Sequence, residues 1–184
     1  MITPDIIKQL LLYFSRYVTR EVRETIFKIP KSARSAEYAE LQSDVLALDE
    51  SRAFPDVKSF ILSISEEYVS DRVKMQSDRV LFVEYGDISI TRTTGQVYND
   101  TRLAISVACN LNKANNDMIT EAIKMQRNLD ILKIILADLQ EENKRCGLAK
   151  PLDLPASVTP LDPTLFFWNG GWTAHVNRRD LVLV

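Results

Sequence analysis

The stretch VLFVEYGDISI (residues 80–90), TRTTGQVYND (91–100) and TRLAISVACNL (101–111) decides the fold, because each piece has its own period. In the last, Leu103, Ile105, Val107, Cys109 and Leu111 alternate with Arg102, Ala104, Ser106, Ala108 and Asn110. Period two over ten residues is a half-buried strand. The first piece is apolar on both faces from Val80 to Val83, which predicts a more central strand. Beyond Gly86 it becomes one-sided, with Ile88 and Ile90 opposite Asp87, Ser89 and Thr91, so Gly86 marks a bulge or tight turn. Thr94, Gly95, Gln96, Val97, Tyr98, Asn99 and Asp100 read as a polar loop joining the two strands into a long antiparallel hairpin.

A long helix follows. Asn115, Asn116 and Asp117 offer N-cap oxygens, and Glu121 suits the first turns. Met118, Ala122, Met125, Leu129, Leu132, Leu136 and Leu139 advance by threes and fours, so they form an apolar seam that Ile131 and Ile135 widen. Lys144 and Arg145 favour its C-terminal end, and Gly147 suits its stop. A hairpin and a helix, each with one apolar face, predict an α+β fold: an antiparallel sheet with a long hairpin packed against one long helix.

Working outward, Thr3, Pro4 and Asp5 predict a helix start, and Leu10, Phe14, Val18, Val22 and Ile26 carry an apolar face to about Phe27, before Pro30. Residues 31–50 predict a second helix, with Tyr38, Leu41, Val45 and Leu48 on one side. These make an N-terminal helical region, residues 1–50, ahead of an α+β domain over 51–184. VKSFILSI (57–64) predicts a strand, and residues 65–76 a short helix capped by Ser65. Pro151, Pro155, Pro160 and Pro163 predict an extended strap over 148–164. Asn169, Gly170 and Gly171 read as a turn between aromatic runs, before a strand in which Trp172, Ala174 and Val176 alternate with Thr173, His175 and Asn177.

The net charge of -2, with 26% charged residues, creates no global field for nucleic acid or anionic membrane. Cys109 and Cys146 lack metal spacing and predict free thiols in a reducing compartment. No signal peptide and no apolar run of membrane-spanning length are expected. His175 is the single histidine and cannot build a zinc set by itself. Glu66-Glu67 and Glu141-Glu142 are adjacent, so on a helix they diverge by about 100° and do not form a dyad. No P-loop, nucleophile elbow or dinucleotide fingerprint occurs. No catalytic, cofactor-binding or metal-binding residue is assigned, and no enzyme activity is expected.

Two features suggest association instead. Phe166, Phe167, Trp168 and Trp172 cluster around a glycine pair, and Leu181, Val182, Leu183 and Val184 form an apolar run that must pair with a sheet edge or with a neighbour. Candidate interface residues are therefore Val97, Tyr98, Trp172, Arg178, Arg179, Leu181, Val182, Leu183 and Val184.

The pieces Leu81 to Gly86, Leu103 to Cys109, Leu129 to Leu139 and Gly171 to Val176 together resemble the small neck and tail proteins of tailed bacteriophages. The likeness is to the tail terminator, tail-completion and head–tail joining types and their prophage relatives. It covers residues 57–177 and rests on hydrophobic patterns, and the N-terminal helical region departs from it. The resemblance implies a structural virion protein of the neck or tail, made in the bacterial host cytoplasm. It implies a homo-oligomeric ring whose partners are itself and neighbouring portal, connector or tail proteins. DNA would pass through without sequence recognition, and no membrane is involved. Two other readings stand beside it: a small α+β ligand-binding or enzymatic domain with an unidentified site, and a phage assembly chaperone absent from the finished particle.

Overall fold

The computed structural model describes residues 6–28, 30–64, 78–93, 96–111, 117–144, 152–161 and 169–182. For residues 6, 87–101 (excepting 94 and 95), 143, 144, 152–156 and 178–182 the description is of the backbone. The chain divides into two compact units, Ile2–Phe60 and Ile61–Val184.

In the first unit the expected single helix is two, α1 (Ile6–Ser15) and α2 (Arg20–Ile26). The break has a cause in the carbonyls it releases. Tyr17 O accepts from Phe54 N at 2.9 Å, and Val18 O accepts from Arg23 Nε at 3.2 Å. Both residues are fully buried, and neither carbonyl could serve a continuous ladder and these partners equally well. Pro30 begins a 3-10 turn over Lys31–Ala33, and the second expected helix shortens to α3 (Ala36–Leu46). Ser35 caps it, its Oγ accepting from Tyr38 N at 3.1 Å.

Arg23, fully buried, ties this unit together. Its Nε donates to Val18 O, Nη1 donates to Val45 O at 3.1 Å and to Leu48 O at 2.6 Å, and Nη2 donates to Asp49 O at 3.2 Å. Glu50 lies 3.8 Å from Nη2. The guanidinium thus satisfies the carbonyls at the end of α3 and in the α1–α2 break at once. Burial pushes its pKa down, and Glu50 and Asp49 pull it back up. Tyr13, Phe14, Tyr17 and Phe54 pack edge-on or stacked against one another in the same unit.

The sheet is mixed and five-stranded, of order β1 (Val57–Ser63), β2 (Arg79–Thr93), β3 (Gln96–Asn110), β5 (Asn169–Val182), β4 (Leu152–Pro160), and all of it but the first four residues of β1 belongs to the second unit. The fold class is α+β. The hairpin is longer than its sequence suggests. Thr91 pairs with Tyr98, Arg92 with Val97 and Thr93 with Gln96, so most of the expected loop is strand. Val97 and Tyr98 are β-formers that alternate in register, and ladder formation outweighed the turn-forming residues around them. Thr94 and Gly95, between the strands, lie outside the described residues. The register slips between Glu84 and Asp87, where Gly86 falls. A Cβ at Gly86 would stand 1.9 Å from Ile64 O, so the close approach of that carbonyl requires glycine.

Asn169, Gly170 and Gly171 are strand, not turn, and pair with Asn110, Cys109 and Ala108. A Cβ at Gly171 would meet Val107 O at 2.0 Å, so backbone contact explains the residue. The proline-rich strap contains strand β4, with its register broken between Asp153 and Ser157, on either side of Pro155. Proline fits there because β4 is an outer strand and the break removes the need for its missing N–H. The helix expected over 65–76 lies outside the described residues.

Helix α4 (Met118–Lys144) starts on Asp117, whose carboxylate accepts from Thr120 N at 2.7 Å, a bond that lowers its pKa. It packs on β3 and β5 by part of the expected seam. Leu132 and Leu139 are buried, with Asn128, Ile131 and Ile135, while Leu129 and Leu136 are half-buried and Met118 is 81% exposed. The helix is rotated so that Ile131 and Ile135 lie at the centre of the contact rather than its margin. Asn128 explains the rotation. Its Nδ2 donates to Gly170 O at 3.1 Å and to Cys109 Sγ at 3.3 Å, and its Oδ1 accepts from Arg79 Nε at 2.6 Å. A buried amide must face its partners, and turning α4 to do so turns the seam aside. Trp172 Nε1 donates to Met125 O at 3.0 Å on the same face.

The other sheet face is buried as well. Ile61, Val80, Phe82, Ala108 and Leu161 form a cluster, and Ser106 shares a 2.7 Å hydroxyl hydrogen bond with Thr173. At this level β3 is thus enclosed on both sides, not half-buried as its alternation suggests. Ala108 and Ser106 are small, and the hydroxyl pair removes the polar cost of burying Ser106 and Thr173.

Candidate interaction surface

The sheet continues as a ribbon past its five-stranded body. Strand β4 pairs with β5 only as far as Leu152 opposite Arg178. On the other side, the Ile64 carbonyl stands beside Gly86, directly after β1 ends at Ser63. Ile61 clusters with Val80 and Phe82, so the second half of β1 flanks the beginning of β2. Past Gly86 and Arg178, the described ladders join only β2, β3 and β5.

Across this ribbon the rungs are Ile88–Thr101–Arg178, Ser89–Asp100–Arg179, Ile90–Asn99–Asp180, Thr91–Tyr98–Leu181 and Arg92–Val97–Val182. Six of the nine candidate interface residues therefore fall together: Val97, Tyr98, Arg178, Arg179, Leu181 and Val182. Leu181 and Val182 pair with β3 of their own chain, which is the intramolecular alternative for that apolar run. Trp172 does not join them. It pairs with Val107 in the body and is half-buried under α4. Leu183 and Val184 lie outside the described residues, as do Phe166, Phe167 and Trp168.

Two features were not singled out from the sequence. The first is the segment of β2 over residues 87–93, whose alternation was legible but whose only described ladder, to β3, was not. The second is an apolar patch on the outer side of α4, where Ile119 is 67% and Ile123 65% exposed. The off-period spacing of Ile119, Ile123 and Ile134 from the core residues was its available signal.

His175 shares a rung with Ala104 and Ser157, and Ala104 pairs in turn with Glu84. Its Nδ1 is buried with no hydrogen-bond partner among the described residues, and desolvation, then the Arg102 charge, hold its pKa below the ordinary 6.5. Such a group is neutral near pH 7, and among the described residues no acid or base stands in hydrogen-bonding reach of that nitrogen. Among the described residues no cluster of three or more His, Cys, Asp or Glu could hold a metal ion, and no helix is long and apolar enough to cross a membrane. No family model matches the chain, and no match was found among curated proteins or solved structures.

Proposed function

We propose that this chain is a structural subunit whose working form is a homo-oligomeric ring, placed in the neck or tail of a tailed bacteriophage to join the portal or connector to the tail. The observation that carries the proposal is the long three-stranded ladder of β2, β3 and β5, on which six of the nine candidate interface residues fall together. A long ladder of this kind can add a strand from a neighbouring copy, and closed assembly then leaves no strand edge over. The phage setting is supported by the resemblance carried by residues 81–86, 103–109, 129–139 and 171–176. With a net charge of -2, the ring would let DNA pass without gripping it.

Size-exclusion chromatography with light scattering, followed by negative-stain imaging, tests the ring. A closed oligomer of fixed size is expected, and a monomer at every concentration would refute it. Mass spectrometry of purified virions tests the placement. Its absence from particles that required it for assembly would make it an assembly chaperone.

A further inference from the structure

Helix α4 carries a second stripe, away from the sheet, whose sequence is its own complement. Ile123, Arg127, Asp130 and Ile134 follow one another at steps of four, three and four, so they line one side of the helix. That side is not the one that packs on the sheet, where Asn128, Ile131, Leu132, Ile135 and Leu139 are buried. Ile123 is 65% and Ile134 46% exposed, while Arg127 and Asp130 are half-buried. Ile119, one turn before Ile123, is also exposed and lies at the margin of the stripe. A helix side that met only water would favour straight-chain polar residues, because β-branched side chains lower helix propensity and isoleucine gains nothing from solvent.

We infer that this stripe is a two-fold docking surface, and that its occupant is the same stripe of a second copy, lying antiparallel across it. The order of the four residues selects that occupant. From either end the stripe runs isoleucine, charge, charge, isoleucine, and the sign of the charges inverts on reversal. With the two-fold axis level with the Asn128–Leu129 peptide, Ile123 of one copy meets Ile134 of the other, and Arg127 meets Asp130, each twice. A parallel pair in the same register would set arginine on arginine and aspartate on aspartate, which opposes pairing. Gln126 Nε2 donates to Asp130 Oδ1 at 2.8 Å, which holds the carboxylate on the outer side of α4 and leaves it acceptor capacity for a guanidinium. Past the isoleucines, Ala137 comes level with Thr120 of the other copy, and neither is bulky enough to hold the helices apart.

The contact closes on itself, so it makes a pair and not a ring. It goes beyond the ring reading and does not depend on it: a ring with this contact would join a second ring through it. One helix-on-helix contact is smaller than the roughly 800 Å² per partner of a standard interface, so the pair should dissociate on dilution.

Charge reversal tests the inference on the full chain, by sedimentation velocity over a range of concentrations. Arg127→Asp and Asp130→Arg should each raise the dissociation constant about tenfold, since two attractive pairs become repulsive. Mixing the two variants should restore pairing, and so should the chain carrying both changes. Equal association of all these samples would overturn the inference. So would a parent that is monomeric up to millimolar concentration, which would leave the stripe to a different partner.

Should circular dichroism show a charge variant misfolded, cysteine pairing answers the same question with the charges intact. In a Cys146→Ser background, with buried Cys109 retained, chains carrying Ile123→Cys and Ile134→Cys are oxidised separately and together. A disulfide-linked dimer is expected only from the mixture, and one from Ile123→Cys by itself would mean parallel pairing. Rings without the mixed disulfide would overturn the inference and leave the ring reading intact. The mixed disulfide without rings would do the reverse. An Ile123→Cys monomer that resists maleimide would mean that another part of the same chain covers the stripe, which also overturns it.

Discussion

The two units solve one problem, a buried polar group, in opposite ways. In Ile2–Phe60 a buried charge, Arg23, collects carbonyls that broken helices leave without partners. In Ile61–Val184 a buried neutral amide, Asn128, joins a helix to a ladder that is already complete. Short helices end often, and each end leaves carbonyls needing donors, so an arginine with five N–H groups suits the first unit. A sheet satisfies its own backbone and needs only orientation from its helix. The difference teaches that the first unit depends on a polar pin for its architecture, whereas in the second the pin sets rotation and apolar packing supplies stability.

The largest effect tests the packing half of that contrast. Leu132 is fully buried at the centre of the α4 face. Leu132→Asp should cost several kcal/mol, about the whole stability of a small domain. Near-UV circular dichroism and calorimetry should show the sheet unit unfolded. An unchanged melting curve would mean that α4 does not pack by this face. Next, Arg23→Leu strands buried carbonyls and should cost about 3–5 kcal/mol. Arg23→Lys should recover only part of this, since one ammonium cannot reach four carbonyls in the same plane. Equal stability of the lysine variant and the parent in urea titration would show that charge alone matters there.

Asn128→Leu should be milder, about 1–3 kcal/mol, because it removes one neutral amide's bonds to Gly170 O, Cys109 Sγ and Arg79 Nε. If it costs as much as Arg23→Leu, the amide is as architectural as the arginine. Smaller still is Val97→Ser with Tyr98→Ser in the ribbon. Backbone pairing survives, and lost cross-strand contacts amount to about 1 kcal/mol, a shift of a few degrees in melting temperature. The same variant should lose ring assembly in light scattering. A large fall in melting temperature would instead make these residues part of the core.

The smallest effect is a pH dependence. The folded state holds His175 below its unfolded value of 6.5, so the unfolded chain binds its proton first. Stability should therefore be level above about pH 7 and decline as pH falls through 6.5 toward the lower folded value. In His175→Gln that part of the decline should vanish, as measured by urea titration from pH 7.5 to 5.5. A parent and variant with superimposable profiles would mean that the imidazole is not desolvated.

What the sequence determined by itself is what neighbours along the chain enforce. Period two over residues 101–111 made β3, glycine at 86 marked the register slip, Asp117 began α4, and an apolar hairpin before an apolar helix made the class α+β. These are local: side-chain alternation, a missing Cβ and a cap act within a few residues. Tertiary structure decided the rest. It broke the first helix because Phe54 and Arg23 claim the carbonyls of Tyr17 and Val18. It made strand of Gln96, Val97 and Tyr98, and of Asn169, Gly170 and Gly171, because a partner strand satisfied their backbone better than a turn could. It turned α4 about its axis to serve Asn128, and it set residues 87–93 and 178–182 on either side of β3. Which strand stands beside which depends on contacts between residues far apart in the chain, and no local period encodes them.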